Sequence, residues 1–409
     1  MKLKSFAAAL LAAALTLSGC GVSSSAPQAQ APETVPETSI PETTLQETQA
    51  PVETQPSLTP AEEILKGMTL RQKVGQLFII RPDALVPQAE ASQEEPVTEV
   101  TEGMKETLQQ YPVGGFAQFK SNIVDPRQIL AFNTQLTEAS EIAPFLAVDE
   151  EGGLVARLAR NDSFGLPKYK SAADVGTQGS EAALEMGRTI GAYLHQYGFN
   201  VDFAPVADTF TNPQNKVIGT RAFSSDPQQV ALCARAMADG LHENDIIPVF
   251  KHFPGHGDTV EDSHEQIAVS HKNLEELMNC EWIPFRQAGE NDCMMSAHVA
   301  LPEVTGDMTP STLTPKVIRD CLKGKLGYQG LVITDALEMG AITDNYTPGE
   351  AAVTALQAGC DILLMPISLP EAFDGVVAAV EDGTIPEAEL DQIVLRILNV
   401  KLRHHLINP

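Results

Sequence analysis

The sequence predicts an α/β fold in which eight parallel strands alternate with helices, a (β/α)8 TIM-type barrel. Eight short runs after residue 60 are mostly apolar throughout, and the segments between them read as amphipathic helices. Continuous apolar runs are typical of parallel strands covered on both faces. Eight such units in about 350 residues favour a barrel. A doubly wound open sheet is the alternative, although no glycine-rich phosphate turn follows the first run.

The elements follow one another in regular order. Helices are expected at, for example, 126–140 and 180–198, and a final one nearly reaches the C-terminus. Residues 82–103 are acidic and poor in aromatics, and we expect them to form a surface loop. No second domain is visible, so 60–409 is predicted to be a single barrel domain. The predicted strands are 74–80, 113–119, 144–149, 200–208, 246–252, 293–299, 331–336 and 361–366.

The N-terminus has the pattern of an export signal. "MKLK" is a positive start, and the next thirteen residues, "SFAAALLAAALTL", are apolar. This run is too short to span a bilayer, which takes about twenty residues, but it fits a secretory signal. "LSGC" resembles a bacterial lipobox, so residues 1–20 are predicted to be a lipoprotein signal peptide with Cys20 as the lipidated residue. An ordinary signal peptide with a chance cysteine is the alternative.

Residues 21–59 are expected to be a disordered tether. They contain no Lys or Arg and five Glu, with repeated Pro, Thr and Ser, and little in them is apolar enough to bury. The lipobox and the tether together predict an extracytoplasmic domain that is anchored to a bacterial membrane and kept at a distance from it.

The charge and cysteine content of the chain exclude some classes of function. The chain has 409 residues, is 43% hydrophobic and carries 27 Lys+Arg against 54 Asp+Glu, a net charge of −27. Such a body is an unlikely match for nucleic acid. Five cysteines follow Cys20 without a CxxC pattern, and they are expected to be buried thiols. A monomer is the default expectation.

Several predicted strands end in polar residues, and in a barrel these ends share one face, where active sites are built. For Asp335 alone, a helix N-cap is the simplest alternative. Because several such residues are expected to form a ring on one face, an N-cap role alone is a weaker explanation for Asp335. Its members are Asp149, Asp208, Lys251, His252, His298 and Asp335.

The stretch "KHFPGHGDTVEDSH", 251–264, is the richest in chemistry. Its proline and glycines predict a loop after the fifth strand. Asp262 could accept a hydrogen bond from His264 and prepare that imidazole for proton transfer. A zinc site is a rival, formed by His252, His256 and His264 with Asp258 or Asp262, although no HExxH spacing is present. A solvated loop is the third possibility.

Four motifs in order carry a resemblance to one family. "VDEEGGLVARL" (148–158), "VIGTRAF" (217–223), "KHFPGHGDTVEDSH" and "ITDALEMGAI" (333–342) resemble the motifs of glycoside hydrolase family 3 β-N-acetylglucosaminidases. The resemblance covers roughly residues 60–409. It favours proton transfer over a metal site and implies neither metal nor cofactor.

The resemblance also implies roles for individual residues. Asp335 is expected to be the nucleophile and His264 the general acid/base, with Asp262 as its partner. Retention of configuration through a covalent glycosyl-enzyme would follow. The positions that match residues holding the terminal N-acetylglucosamine are Asp149, Arg157, Arg221, Lys251 and His252.

Two further expectations follow from the resemblance. An imidazole acid/base would tolerate an anionic acceptor, so phosphate could replace water. The family usually has Gln where this chain has Glu150, and we expect this added carboxylate to lie near the sugar and alter affinity.

Three functions are compatible with these features. The first is an exo-acting β-N-acetylglucosaminidase acting on peptidoglycan fragments or related glycans. The second is a lipid-anchored sugar-binding protein, which would need neither Asp335 nor His264. The third is a metal-dependent hydrolase.

Overall fold

The computed structural model describes residues 58–87, 96–260 and 267–408. Its strands, in chain order, are β1 Phe78–Ile80, β2 Gly115–Gln118, β3 Phe145–Val148, β4 Glu150–Gly152, β5 Val155–Ala156, β6 Val201–Asp202, β7 Ile247–Phe253, β8 Ala268–Val269, β9 Cys293–Ser296, β10 Val299–Ala300, β11 Leu331–Thr334 and β12 Leu363–Leu364.

Eight of these strands form one parallel sheet in the order β11-β9-β7-β6-β3-β2-β1-β12. The order follows the chain, except that β12 pairs with β1. A parallel bridge between Ile333 and Ile362 joins the two outer strands, so the sheet nearly closes. The predicted (β/α)8 barrel is confirmed. The alternative open sheet is wrong, because its strand order would reverse at a switch point.

All eight predicted strands overlap an observed barrel strand, but three are much shorter than predicted, and one of these, 361–366, is reduced to Leu363–Leu364. The first, 74–80, is reduced to Phe78–Ile80, because Thr69 and Gln72 form a capping box that starts a helix at Leu70. The fourth, 200–208, is reduced to Val201–Asp202, with one further bridge from Val206 to Lys251.

The α-helices are α1 Pro60–Gly67, α2 Leu70–Gly75, α3 Glu102–Gln110, α4 Pro126–Ala139, α5 Ala172–Gly176, α6 Ser180–Gln196, α7 Pro227–His242, α8 Leu274–Asn279, α9 Trp282–Phe285, α10 Pro302–Thr305, α11 Gly340–Thr343, α12 Pro348–Ala358, α13 Leu369–Glu381 and α14 Glu387–Arg403, with a π-helix at Lys316–Lys325. Short 3₁₀ turns occur at Pro82–Leu85, Lys120–Asn122, Asp162–Phe164, Gly219–Arg221 and Ser311–Leu313.

Side-chain caps begin several of the outer helices. Asp125, just before Pro126, accepts from the backbone N–H groups of Arg127 and Gln128, and Thr347 and Glu350 cap each other's backbone at α12. These pairs satisfy N–H groups that a helix cannot satisfy itself. Each cap therefore fixes where the chain leaves a loop at the carboxyl ends of the strands and turns back along the barrel.

The predicted surface loop 82–103 is partly regular where it is described. It contains the 3₁₀ turn Pro82–Leu85, and its end packs on α4, where Gln128 Nε2 donates to the Thr98 carbonyl oxygen at 2.7 Å and Val100 N donates to Gln135. Residues 88–95 lie outside the described residues.

The remaining predictions about the chain divide into two groups. Four of the five cysteines after Cys20 are buried free thiols as predicted, whereas Cys280 is partly exposed. The signal peptide with Cys20 and almost all of the tether lie outside the described residues. No helix within 58–87, 96–260 or 267–408 is long and apolar enough to cross a membrane.

Candidate active site

A cavity of about 250 Å³ opens at the carboxyl ends of the barrel strands. Its lining includes Asp149, Lys251 and Asp335, which follow or end β3, β7 and β11. Parallel strands place their carboxyl ends on one face, so residues 102 and 84 positions apart in the chain meet here. Four of the six predicted polar strand ends line this one pocket, namely Asp149, Lys251, His252 and Asp335, whereas Asp208 and His298 do not line it.

Lys251 lies at the centre of this pocket, between two carboxylates. Its Nζ is 2.6 Å from Asp149 Oδ1 and 2.6 Å from Glu151 Oε1. Its side chain and that of Glu151 are each only 3% exposed. A buried ammonium is stable only when paired, and here it has two partners.

Arg221 extends these contacts across the pocket. Its Nε and Nη2 donate to the two oxygens of Glu151 at 2.8 and 2.7 Å, a bidentate pair. Nη2 also lies 3.3 Å from His252 Nε2. A guanidinium can only donate, so Nε2 accepts and Nδ1 carries the proton, which it donates to Asp208 Oδ2 at 2.6 Å.

Arg157 completes the series, because its Nη2 donates to Asp149 Oδ2 at 3.1 Å. Its guanidinium lies over the Phe119 ring at 5.3 Å, and that of Arg81 lies 5.2 Å from the centroid of the same ring. The aromatic ring thus holds Arg157 by a cation–π contact. We call the connected set the charge network; it consists of Arg157, Asp149, Lys251, Glu151, Arg221, His252 and Asp208.

The pairing within the charge network determines its ionisation. Burial opposes the charge on Asp149, but the cations of Lys251 and Arg157 outweigh it and hold its pKa below the ordinary value. Burial likewise opposes the charge on Glu151, yet Arg221 and Lys251 hold its pKa well below normal. The pKa of Lys251 is raised, because Asp149 and Glu151 outweigh its desolvation. Neutral pH therefore leaves these groups charged.

Asp335 follows β11 directly and lines the same cavity. Its Oδ1 accepts from the N–H of Ala336 at 2.8 Å, and its own N–H donates to the Ser296 carbonyl oxygen. His298 Nε2 donates to the carbonyl oxygen of Ala336 at 3.0 Å, and His298 Nδ1 is 3.0 Å from Thr312 Oγ1. His298, the predicted polar end of the sixth strand, thus holds the turn that carries Asp335.

Residues 261–266, in the loop after β7, lie outside the described residues, and the segments on both sides of them are held by hydrogen bonds and strand pairing. Before this stretch, Asn215 Nδ2 donates to the His256 carbonyl oxygen at 2.7 Å, and Trp282 Nε1 donates to that of Pro254 at 3.1 Å. After it, β8 pairs with β10 in parallel. Ser270 donates to Asp258 Oδ2 at 2.6 Å, which ties the two sides together.

The predicted acid/base His264 and its partner Asp262 belong to that stretch and so lie outside the described residues. The three histidines of the zinc hypothesis are therefore not all described. Of the described ones, His252 Nδ1 bonds to Asp208 and His256 Nδ1 lies 2.7 Å from Thr259 Oγ1. Among residues 58–87, 96–260 and 267–408, no group of three His, Cys, Asp or Glu is placed to hold a metal ion.

The expectation that Glu150 lies near the sugar is wrong. Its side chain is fully buried away from the cavity, and its two oxygens accept from the N–H groups of Arg157, Leu158 and Ala159 and from Tyr193 Oη. These bonds, at 2.6–2.9 Å, fasten the β4–β5 hairpin. Burial raises the pKa of Glu150 in spite of them.

Glu151 is the functional residue that the sequence analysis missed. Successive side chains in an extended segment point to opposite sides, so Asp149 and Glu151 share one side while Glu150 takes the other. This alternation within "VDEEGG" was the available signal. The sequence places Asp208 at a strand end as expected. It does not predict that Asp208 accepts from His252, because the two residues are far apart in the chain and meet only in the fold.

Two other cavities, of about 330 and 520 Å³, lie at the opposite end of the barrel. The first is lined by Pro112 and Val113, just before β2, and the second by Gly330 and Cys360, just before β11 and β12. By size alone, either of these cavities would be chosen as the candidate active site. The convergence of charged groups instead favours the cavity around Lys251.

Residues 69–400 match the glycosyl hydrolase family 3 N-terminal domain. The chain belongs to this family. β-Hexosaminidase from Stenotrophomonas maltophilia is 32% identical over 72% of this chain and 87% of its own length. β-Hexosaminidase A from Pseudoalteromonas piscicida is 30% identical over 73% of this chain.

Solved structures give the same assignment. A glycoside hydrolase family 3 β-N-acetylglucosaminidase from Paenibacillus sp. str. FPU-7 superposes with a TM-score of 0.77, at 34% identity over 84% of this chain. This chain spans 64% of that protein and 55% of the Pseudoalteromonas relative.

Proposed function

We propose that the protein is an exo-acting, retaining β-N-acetylglucosaminidase that releases terminal, non-reducing N-acetylglucosamine. The observation that carries the proposal is the pocket that joins Asp335 to the charge network. Its paired cations and carboxylates offer donors and acceptors to sugar hydroxyls within a space of about 250 Å³. The relative from Paenibacillus is named a β-N-acetylglucosaminidase, which supports this sugar, and the one from Stenotrophomonas is named a β-hexosaminidase, which supports the broader class.

The proposed reaction proceeds in two displacements. The carboxylate of Asp335 attacks the anomeric carbon while His264, oriented by Asp262, gives its proton to the leaving glycosidic oxygen. A covalent glycosyl-enzyme forms and the leaving group departs as an alcohol. Neutral His264 then takes a proton from water, which displaces Asp335 and restores the original anomeric configuration.

The charge network would bind the terminal N-acetylglucosamine and discriminate against other sugars. Asp149, Lys251 and Arg221 can each exchange part of their bonding within the charge network for bonds to hydroxyl groups. Arg157 Nε has no hydrogen-bond acceptor among the described residues and could donate to a sugar oxygen. A sugar that leaves such buried groups unpaired is rejected strongly, because their desolvation is not compensated.

The proposed setting is outside the cytoplasmic membrane, on peptidoglycan fragments or related glycans. The lipobox-like "LSGC" and the Pro/Thr/Glu-rich residues 21–59 support a lipid anchor at Cys20 followed by a tether. Replacing Cys20 by Ala should move the protein from the detergent phase to the aqueous phase in a phase-partition experiment. Equal partitioning of both forms would exclude the anchor.

Asp335→Asn tests the proposed activity. We expect kcat on 4-nitrophenyl N-acetyl-β-glucosaminide to fall by about a thousandfold or more, because the amide cannot form the glycosyl-enzyme. Asp344→Asn, nine residues further on and exposed, is the matched control and should keep its activity. Substantial turnover by Asp335→Asn would end the nucleophile assignment.

The same assay separates the rival functions. A sugar-binding protein would bind N-acetylglucosamine but give no turnover with the wild type. A metal-dependent hydrolase would lose its activity in excess chelator, whereas the proposed enzyme keeps it. NMR of the first-formed anomer tests retention, and replacing water by phosphate as acceptor would appear as sugar-1-phosphate.

A further inference from the structure

A basic cavity lies at the end of the barrel opposite the catalytic pocket. It measures about 520 Å³ and lies just before β11 and β12. Three cationic side chains line it: Arg319 and Lys323 from the π-helix, and Arg396 from α14. Glu389 is the one carboxylate in its lining among the described residues. The wall of the cavity therefore carries an excess of positive charge.

This positive charge runs against the composition of the chain. The chain carries 54 Asp+Glu against 27 Lys+Arg, whereas the π-helix has four Lys or Arg and one Asp in its ten residues. A cleft lined mainly by one sign of charge concentrates ions of the opposite sign. The cavity can therefore attract an anion on a protein whose net charge repels anions.

Asp361 holds two of the three cations in place. Its side chain is fully buried. Its Oδ1 accepts from Arg396 Nη2 at 2.6 Å, and its Oδ2 accepts from Lys323 Nζ at 3.0 Å and from the N–H of Val332 at 2.8 Å. Two long side chains from different helices are therefore ordered before any ligand binds, which lowers the entropic cost of binding. Together they carry one charge more than Asp361 neutralises.

Each arginine keeps donors that its carboxylate does not use. In the described parts of the chain, Arg396 bonds to Asp361 through Nε and Nη2, and Arg319 bonds to Glu389 through Nη2. A guanidinium has five N–H donors, so both arginines can donate to a further acceptor. The pair of Arg319 and Glu389 is partly exposed and therefore weak. An anion with more than one charge can replace Glu389 as the partner of Arg319.

A phosphate monoester matches this set of donors. Its phosphate group has three acceptor oxygens and a charge of about −1.5 to −2 near pH 7. Arginine binds phosphate in a bidentate manner and lysine binds it as a point charge. Leu356 and Ile393 also line the cavity, whose volume exceeds that of a phosphate group. There is therefore room, beside apolar side chains, for the group that carries the phosphate.

We propose that this cavity binds a phosphate monoester, with its phosphate group on Arg319, Lys323 and Arg396. Asp361 is a positioning residue of this site, because it orders two of the three cations without touching the ligand. The site is separate from the charge network, and the inference does not depend on the proposed glycosidase activity.

Isothermal titration calorimetry of the full-length protein with inorganic phosphate and with glycerol 3-phosphate measures this site. Arg319→Gln and Arg396→Gln should each raise both Kd values about tenfold, because each variant loses charged hydrogen bonds to the phosphate. Dimethyl phosphate, a diester with a single charge, and acetate should each bind about tenfold more weakly than inorganic phosphate.

Arg188→Gln is the matched control for Arg319→Gln. Arg188 is 44% exposed and paired with Glu243, as Arg319 is 46% exposed and paired with Glu389. Arg188 is not in the lining of the basic cavity, so its variant should keep the wild-type Kd values. Arg319→Gln leaves no buried charge unpaired, and it keeps the test open if Arg396→Gln does not fold.

Four results would overturn the inference. The first is a wild-type protein that shows no saturable binding of phosphate. The second is a Kd for Arg319→Gln within about twofold of the wild-type value, and the third is an equal loss of affinity in Arg188→Gln. The fourth is an affinity for acetate or dimethyl phosphate equal to that for inorganic phosphate. Every measurement is of binding, so failure of the proposed hydrolysis would not alter the outcome.

Discussion

Two buried lysines at opposite ends of the barrel have opposite electrostatic surroundings. Lys251, near the carboxyl end of β7, lies between Asp149 and Glu151, and its pKa is raised because their charges outweigh its burial. Lys401, on α14, is also fully buried, but it donates to Gln76 Oε1 at 2.8 Å and to the Gly114 carbonyl oxygen at 3.0 Å.

Lys401 has neutral partners, and its Nζ lies 4.8 Å from the centroid of the Phe145 ring. Gln76, Gly114 and Phe145 precede or begin β1, β2 and β3, so the lysine closes the amino-terminal end of the barrel. Burial lowers its pKa to about 7. The difference teaches that burial without a charged partner lowers the pKa of a lysine, whereas paired carboxylates raise the pKa of a buried lysine and keep it charged.

Lys251→Met should give the largest effect, because it leaves Asp149 and Glu151 facing each other without their shared cation. We expect kcat/KM to fall about a thousandfold or more and the free energy of unfolding to fall by about 3 kcal/mol. Urea denaturation and the 4-nitrophenyl assay measure the two losses. Lys168→Met, in an exposed pair with Asp162, is the control and should cost under about 1 kcal/mol.

An unchanged unfolding free energy in Lys251→Met would contradict the first half of the comparison. It would mean that the two carboxylates do not need the lysine to remain ionised in the folded protein.

Glu150→Gln sharpens the comparison within one hairpin. Glu150 accepts four hydrogen bonds with its two oxygens, and an amide nitrogen in place of one oxygen would face the N–H of a backbone donor. We expect the free energy of unfolding to fall by about 2 kcal/mol, while KM stays close to the wild-type value. A large rise in KM with an unchanged free energy of unfolding would instead indicate that Glu150 contacts the sugar. Exposed Glu181→Gln is the control.

Lys401→Met should give the smallest effect, visible as a change in pH dependence. The folded-state pKa of about 7 lies below the unfolded value of about 10.4. Between these values the unfolded chain binds more protons, so the stability of wild type rises with pH through this contribution. Relative to Lys401→Met, the wild-type free energy of unfolding should rise by about 1 kcal/mol per pH unit between about pH 7.5 and 9.5.

Thermal or urea unfolding at several pH values measures this difference. Exposed Lys66→Met should follow the wild-type slope. Parallel slopes for wild type and Lys401→Met would show that Lys401 keeps its charge in the folded state.

The fold could be predicted because it depends on local patterns. Each apolar run is a local feature, and a barrel is the simplest arrangement of eight such runs with intervening helices. The errors have local causes too: the capping box of Thr69 and Gln72 starts a helix that includes Val74, although Val74 by itself favours a strand. Nothing in the run itself distinguishes a buried helix end from a strand.

The site was predictable in its members but not in its connections. Strand ends pointed to Asp149, Lys251 and Asp335, and the barrel brings them together. The partner of each group depends on contacts such as Glu151 with Arg221, 70 residues apart, which no sequence spacing specifies. Glu150 was misplaced because only its residue type was considered, and not the side to which it points.

The continuity of the charge network has a consequence for redesign. Each group of the charge network shares a partner with the next, so the effects of substitutions at neighbouring positions in the network are not expected to add. If the sugar preference were altered one residue at a time, each substitution would leave a buried charged group without its partner. Variants that exchange Glu151 and Arg221 together, preserving neutrality while changing shape, offer a more promising starting library.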